Sequence, residues 1–322
     1  MTSVPALDRL RERDLRVAGQ GLDDDPELLD AVGYMLASRG KQLRPGICLE
    51  AAKYGPNPGS HGVWRVATAL ELLQIGSLAH DDIVDDGAIR RGWESVAERN
   101  GTCVAGVAAS WLFGRALELA THGGRGAVAR FVTAARELCD GQLLDAEDVF
   151  DIARTPARYF TTIEQKTGSL FRLAASVGAE AAGAESAAVA SLTEFGHHLG
   201  VVFQISDDML DLAGTEAALG KPPGSDLGHG VYTLPVIYAL EVDPTLPVLL
   251  PQAAGDEGVL LHAVEAICEA GGLDRALEDC ERHAAAARDA LDATPHEDAG
   301  AKERLRAILD YSIDRARPRG RL

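Results

Sequence analysis

Two short acidic runs stand out as chemistry-bearing: His80-Asp81-Asp82-Ile83-Val84-Asp85-Asp86 and Asp207-Asp208-Met209-Leu210-Asp211. In each, the outer aspartates of a DDxxD pattern are four apart. On a helix that spacing stacks Asp81 over Asp85, and Asp207 over Asp211, on one face. Like charges so placed cost a helix roughly 0.2–0.5 kcal/mol per pair. Each run also ends an apolar helical segment, where the helix dipole disfavours negative charge. Bound cations relieve both penalties. Carboxylates that leave water positions open suit Mg²⁺, which prefers to share its ligands with phosphate oxygens. A calcium loop is excluded, because the D-x-D-x-D-G register is not met.

A polyanion held by such ions needs cations from the protein. Gly40-Lys41-Gln42-Leu43-Arg44-Pro45 sets a Lys and an Arg three apart, and Arg90-Arg91-Gly92 follows the first acidic run. Lys166-Thr167 and Lys221 come later. Arg grips phosphate oxygens with two parallel donors, and Lys acts as a point charge. Grouped at Gly- and Pro-marked bends, they predict a diphosphate pocket.

The elements that must position these residues read as helices. Apolar residues recur at three and four positions through 63–84, 103–120, 127–146, 156–174, 187–212, 234–241, 259–270, 273–293 and 302–315. Gly and Pro punctuate them. The stretch 214–232 is long for a connection inside a compact fold, and holding Lys221 and Asp226 it reads as an active-site flap. No repeat or linker interrupts the chain.

Composition narrows the field. The 322 residues are 46% hydrophobic, 25% charged and 5% aromatic, which fits an Ala-rich helical core. A net charge of −18 argues against a nucleic-acid partner. Cys48, Cys103, Cys139, Cys268 and Cys280 match no zinc spacing, so buried thiols in a reducing compartment are expected. With no apolar leader segment and no uncharged apolar run of about 18 residues, a cytoplasmic protein without a membrane span is expected. His197 and His198 diverge by about 100° on a helix and read as structural.

The residues resemble the trans-isoprenyl diphosphate synthase (polyprenyl synthetase) family over nearly the whole chain. The matching pieces are GKQLRP (40–45), ELLQIGSLAHDDIVDDGAIRRG (71–92), GQLLD (141–145), the Lys-Thr stretch from Glu164 to Phe171, and FQISDDMLDL (203–212). LGKPPGSDL (219–227), TLPVIYAL (233–240) and YSIDR (311–315) complete them. The resemblance implies an all-α fold, an isoprenoid-synthase-type helical bundle around a deep central cavity, with residues 1–322 as one polyprenyl synthetase domain and a homodimer as the usual assembly. It further implies that Asp81 and Asp85 hold two Mg²⁺ and Asp207 a third, supported by Asp82, Asp208 and Asp211. Arg90, Lys166 and Lys221 would bind an allylic diphosphate with Thr167 and Gln204. Gly40, Lys41, Arg44, Gln74 and Arg91 would hold isopentenyl diphosphate. Two positions depart from the pattern: Ala109-Ser110 stands where the family usually has Gly-Asp, and Val231 where it usually has Lys.

The reaction implied is ionisation, condensation and elimination, with Asp81, Asp85, Asp207, Lys166 and Arg90 at its centre. Product length follows from geometry. Ser77 and Gly76 lie about one turn, ~5.4 Å, before Asp81 and are small. With Leu73 and Leu70 continuing the wall and Trp111 or Phe113 as a floor, a product of C20 or longer, leaning to C30–C50, is expected. Two rivals share the acidic runs. A terpene cyclase has no second diphosphate to bind, which the GKQLRP and RRG elements argue against. A regulatory subunit of a heteromeric synthase usually loses an aspartate cluster, and both survive here.

Overall fold

The computed structural model describes residue 10 and residues 25–38, 40–214, 223–295 and 298–316. Its first helices are α1 (Pro26–Ala37), α2 (Leu43–Ala52) and α3 (His61–Val84). A two-stranded hairpin, β1 (Ile89–Arg90) and β2 (Trp93–Glu94), leads to α4 (Val96–Asn100), α5 (Thr102–Ala120) and α6 (Arg125–Glu147). Then α7 (Pro156–Ile163), a π-helical turn (Glu164–Gly168) and α8 (Ser169–Ala181) run on without a break. After α9 (Ser186–Ala213) come α10 (Ser225–Gly228), α11 (Leu234–Leu240), α12 (Leu246–Ala253) and α13 (Glu257–Glu269). The long α14 (Gly272–Asp292) and α15 (Ala299–Ala316) end the fold.

Helical periodicity explains which faces are buried. In α3, Val63, Val66, Ala67, Leu70 and Leu73 repeat at three and four, and all are buried. In α9, Leu192, Phe195, Leu199 and Val202 do the same. Each such Leu or Phe contributes about 1.5–3 kcal/mol over leaving it in water. Helix α8 is the shared neighbour, packing on α2, α3, α6 and α9, so it spans the two helices that carry the acidic runs. A second, smaller core gathers Leu227, Tyr232, Val236, Leu246, Leu250 and Ile267 beside the end of α9.

Local signals set the ends. Ser60 accepts from the Val63 amide and opens α3, while Thr155 accepts from the Arg158 amide ahead of Pro156 and opens α7. Arg91 and Gly92 both have positive φ, 56° and 80°, which is the twist a two-residue hairpin turn requires.

The nine predicted helices all form, within three residues at each start. The exception is the single helix predicted over 156–174, which carries the π turn and runs on to Ala181. The thiols depart from expectation: Cys48 and Cys280 are buried, but Cys103, Cys139 and Cys268 are exposed, Cys139 at the central cavity, and no disulfide joins any of the five. Residues 102–123 also form one helical stretch long and apolar enough to cross a membrane by length and composition, with 39% of its 18-residue apolar window buried.

Candidate active site

The two acidic runs meet. Asp81, from the last turn of α3, and Asp207, from α9, line one cavity of about 630 Å³ together with Arg44, Arg90, Arg91 and Lys166. The rest of the wall is mostly apolar, including Leu78, Phe113, Leu138, Leu143 and Phe203. The cavity thus combines charged and apolar walls.

Burial shapes the aspartates. Removal from water pushes the Asp81 carboxyl up to about 6; Lys166 and Arg90 oppose this, and Asp85 and Asp82 add to it. Asp85 caps α3 on the exposed rim, and partial burial raises its pKa as well. Asp207 is raised by burial even though Arg315, Lys41 and Arg44 pull against it. Arg315, from α15, donates to the Asp207 carboxylate, and its guanidinium lies 5.3 Å from the Phe203 ring.

The resemblance implies that Asp82, Asp208 and Asp211 support the metal ligands; the structure buries all three and engages them with protein donors. Arg90 grips Asp82 with two donors, its Nε at 2.8 Å. The Tyr159 hydroxyl donates to Asp208 at 2.5 Å and the Gln204 amide at 2.8 Å. The Asp226 amide donates to Asp211 at 3.1 Å, which folds the described end of the 214–232 stretch back on α9. Tyr159 as an anchor has no signal in the spacing.

The cations come from four elements. Lys166 sits in the π turn and donates to Asp145 at 2.8 Å. Burial disfavours its charge, but Asp145, Asp81 and Asp85 outweigh this and hold its pKa above the ordinary value. The π turn fits because residue 141 is Gly: a Cβ there would come within 2.5 Å of the Lys166 backbone nitrogen. Thr167 donates to Gln204 at 2.7 Å, and both line the cavity. Arg44 is half-buried with its guanidinium 4.7 Å from the Phe171 ring, and desolvation lowers its pKa to about 10 against the pull of Glu71, Asp207 and Asp81. Among the described residues its Nε has no hydrogen-bond partner, and neither has the Gln74 Oε1. Arg91 donates to the Ser38 carbonyl at 2.9 Å and lies against Gly40, where a Cβ would strike its guanidinium.

Some predicted members stand apart from the wall. Lys41 is exposed and donates to the Tyr311 hydroxyl at 3.3 Å rather than lining the cavity. Lys221 lies outside the described residues. Val231 brings no charge to its bend, but Arg154 donates to the carbonyl of the next residue, Tyr232, at 3.1 Å. Ser110 simply bonds back to the Gly106 carbonyl. The pair His197 and His198 is occupied elsewhere, with His198 3.0 Å from His283 between their Nδ1 atoms.

The apolar wall needs correction. Ser77 lines the cavity as expected, but Leu73 is sunk in the core, and neither Gly76 nor Trp111 reaches the wall. Gly76 is covered by Phe113: a Cβ there would lie 2.7 Å from that ring and 3.1 Å from the Ala109 carbonyl. Phe113, 5.2 Å from the His80 ring, fills the space that small residues on α3 leave.

Three acidic oxygen sources, Asp81, Asp85 and Asp207, suit a hard cation. Among the described residues no three His, Cys, Asp or Glu groups converge to hold a metal by themselves. Arg44 lines the same cavity, and among the described residues its Nε is left without a partner.

Comparison with known proteins agrees with this geometry. Residues 25–267 match the family model described as Polyprenyl synthetase. The chain is 30% identical over 316 residues to the nonaprenyl diphosphate synthase of Mycobacterium tuberculosis, covering 97% of this chain and 92% of that protein. It is 33% identical to the short chain isoprenyl diphosphate synthase of Methanothermobacter thermautotrophicus, covering 94% and 95%. The crystal structure of a polyprenyl synthase from Caulobacter crescentus, complexed with calcium and isoprenyl diphosphate, superposes with a TM-score of 0.86 at 29% identity, covering 99% of this chain and all of that one.

Proposed function

The chain belongs to the polyprenyl synthetase family, and from that premise we propose that it condenses isopentenyl diphosphate with an allylic diphosphate to build an all-trans polyprenyl diphosphate. One observation carries the reading. Asp81 and Asp207, from helices far apart in sequence, line the same cavity as Arg44, Arg90, Arg91 and Lys166, and that cavity continues into an apolar wall.

Asp81, Asp85 and Asp207 would hold the divalent ions, three Mg²⁺ per site. When bound, these supply Lewis-acid neutralisation of the departing diphosphate. Lys166 and Arg90 place fixed positive charge where the allylic diphosphate leaves, so charge developing in the transition state meets donors already in position. Thr167, Gln204 and Lys221 complete that subsite. Arg44, whose buried Nε lacks a protein partner, takes the isopentenyl diphosphate together with Gln74 and Arg91. Gly40 lets Arg91 lie close, and Lys41 stands at the entrance. Leu78, Phe113, Leu138 and Phe203 keep water from the allylic cation, which otherwise would be captured as an alcohol. The double bond of isopentenyl diphosphate attacks that cation, and a proton is then lost to the released diphosphate.

Product length is C20 or longer, leaning to C30–C50, with Phe113 rather than α3 limiting growth. The enzyme works as a cytoplasmic homodimer of one polyprenyl synthetase domain. The exposed apolar Val107 of α5 and Val132 of α6, 54% and 51% accessible, are the candidate contacts for a second copy.

The deciding experiment incubates purified protein with Mg²⁺, isopentenyl diphosphate and C5, C10, C15 or C20 allylic primers, and identifies products by mass spectrometry. A ladder ending in one polyprenyl diphosphate is expected. Hydrocarbon from the allylic substrate alone identifies a cyclase, and an inert pure chain identifies a regulatory subunit.

A further inference from the structure

Arg154 lies between α6 and α7, outside every segment that the acidic and basic patterns mark. Its side chain is only 2% accessible. A buried guanidinium is costly unless several acceptors take it up. Here NH1 donates to the Tyr232 carbonyl at 3.1 Å, NH2 to Asp145 Oδ1 at 3.3 Å, and Nε pairs with Asp148 Oδ2 at 3.1 Å. The face of Tyr159 lies 5.6 Å away.

Three of those partners, Asp145, Tyr232 and Tyr159, connect to residues of the candidate site. The other oxygen of Asp145, Oδ2, receives the Lys166 ammonium at 2.8 Å. One carboxylate is thus held by two cations, one per oxygen, and its plane is fixed by Arg154. Tyr232 ends the segment whose Asp226 amide binds Asp211. Tyr159 binds Asp208, which Gln204 also holds.

We infer that Arg154 is a positioning residue of the active site, acting through Asp145 to set the Lys166 ammonium and through Tyr232 to seat the segment that follows the second aspartate run. Resting on the allylic role of Lys166 in the proposed function, it affects the allylic diphosphate and not isopentenyl diphosphate, whose Arg44 and Arg91 lie on other elements. A structural role alone would lower stability without this asymmetry.

The test is a kinetic double-mutant cycle with both substrates varied. For Arg154→Met, kcat/KM for the allylic diphosphate is expected to fall at least about tenfold, with KM for isopentenyl diphosphate within about twofold. In a Lys166→Ala background the same substitution should cost less than about threefold, because the two residues act as one unit. Arg154→Lys, which keeps the charge and one donor to Asp145, should show a smaller loss with the same allylic bias, and it decides the matter if the Met variant does not fold. Equal loss in both backgrounds, or KM values for both substrates rising together in the Met or Lys variant, overturns the assignment. Wild-type protein that forms no prenyl diphosphate sinks the proposed function itself. Active wild type with unmoved Arg154 variants sinks only this inference.

Discussion

The Tyr159 hydroxyl lies 2.5 Å from Asp208 Oδ2, deep beside the second aspartate run. Neighbouring aspartates in one motif therefore do different work: Asp207 faces the cavity and Asp208 braces the helix that carries it. Asp81→Ala and Asp207→Ala are each expected to cut turnover by orders of magnitude with an unchanged far-ultraviolet circular dichroism spectrum. Asp208→Asn should retain far more turnover but lose about 1–3 kcal/mol of stability in urea titrations, the usual cost of a damaged buried charged hydrogen bond. Equal turnover losses in Asp207→Ala and Asp208→Asn would refute this division of labour.

The raised pKa of Asp81 makes the metal-free site a source of instability. Its folded value of about 6 exceeds the ordinary carboxylate value of 3.8, so between those pH values the folded state binds more protons than the unfolded one. In chelator, this group's contribution to stability should therefore grow as pH falls from about 6 toward 3.8, and diminish as pH rises. Asp81→Asn removes the charge and should stabilise the metal-free protein at neutral pH, by up to about 3 kcal/mol less a discount for its accessible part. Thermal denaturation in chelator across pH 4–8, comparing the two proteins, measures it; parallel curves would contradict it.

Phe113 is the expected limit on chain growth. Phe113→Ala opens the space beyond Ser77 and His80, so longer products should appear by mass spectrometry with the same primer. Gly76→Phe cannot act as a simple plug, because even a Cβ meets Phe113 and the Ala109 carbonyl. It should destabilise the α3–α5 contact by about 1–3 kcal/mol, the usual cost of overpacking. A stable Gly76→Phe protein with shortened product would reverse the assignment of the wall.

Charge on the exposed apolar side of α5 and α6 should separate the subunits. Val107→Asp with Val132→Asp is expected to shift the mass measured by light scattering from dimer to monomer. A monomeric parent, or an unshifted double variant, would remove that face as the interface.

What the sequence revealed and what it hid have a common physical cause. Long helices such as α3 and α9 are legible because a single buried stripe imposes a 3.6-residue period on Val63 to Leu73 and Leu192 to Val202. By contrast α2 is buried on nearly all sides and carries Pro45 and Gly46, so no period shows. The aspartates and arginines announce themselves through spacing and charge. Asp145, Arg154, Tyr159 and Arg315 do not, since each acquires its meaning from a partner distant in the chain. Asp145 had the best available signal, as the acid closing the GQLLD segment. The wall was misread because spacing along α3 indicates which residues lie one turn below Asp81, but not that α5 brings Phe113 over Gly76.

The wide turn over Glu164–Gly168 holds one residue more than an ordinary helix would. Such a turn takes up its extra residue locally, so α7 and α8 keep the phase of one continuous rod on either side of it. Excising that residue would leave the flanking faces where they are, Phe171 against Arg44 included. The loss would fall on the turn itself, where Lys166 and Thr167 line the cavity. The irregularity is therefore a way to add a residue to a helix without disturbing what the helix already packs against.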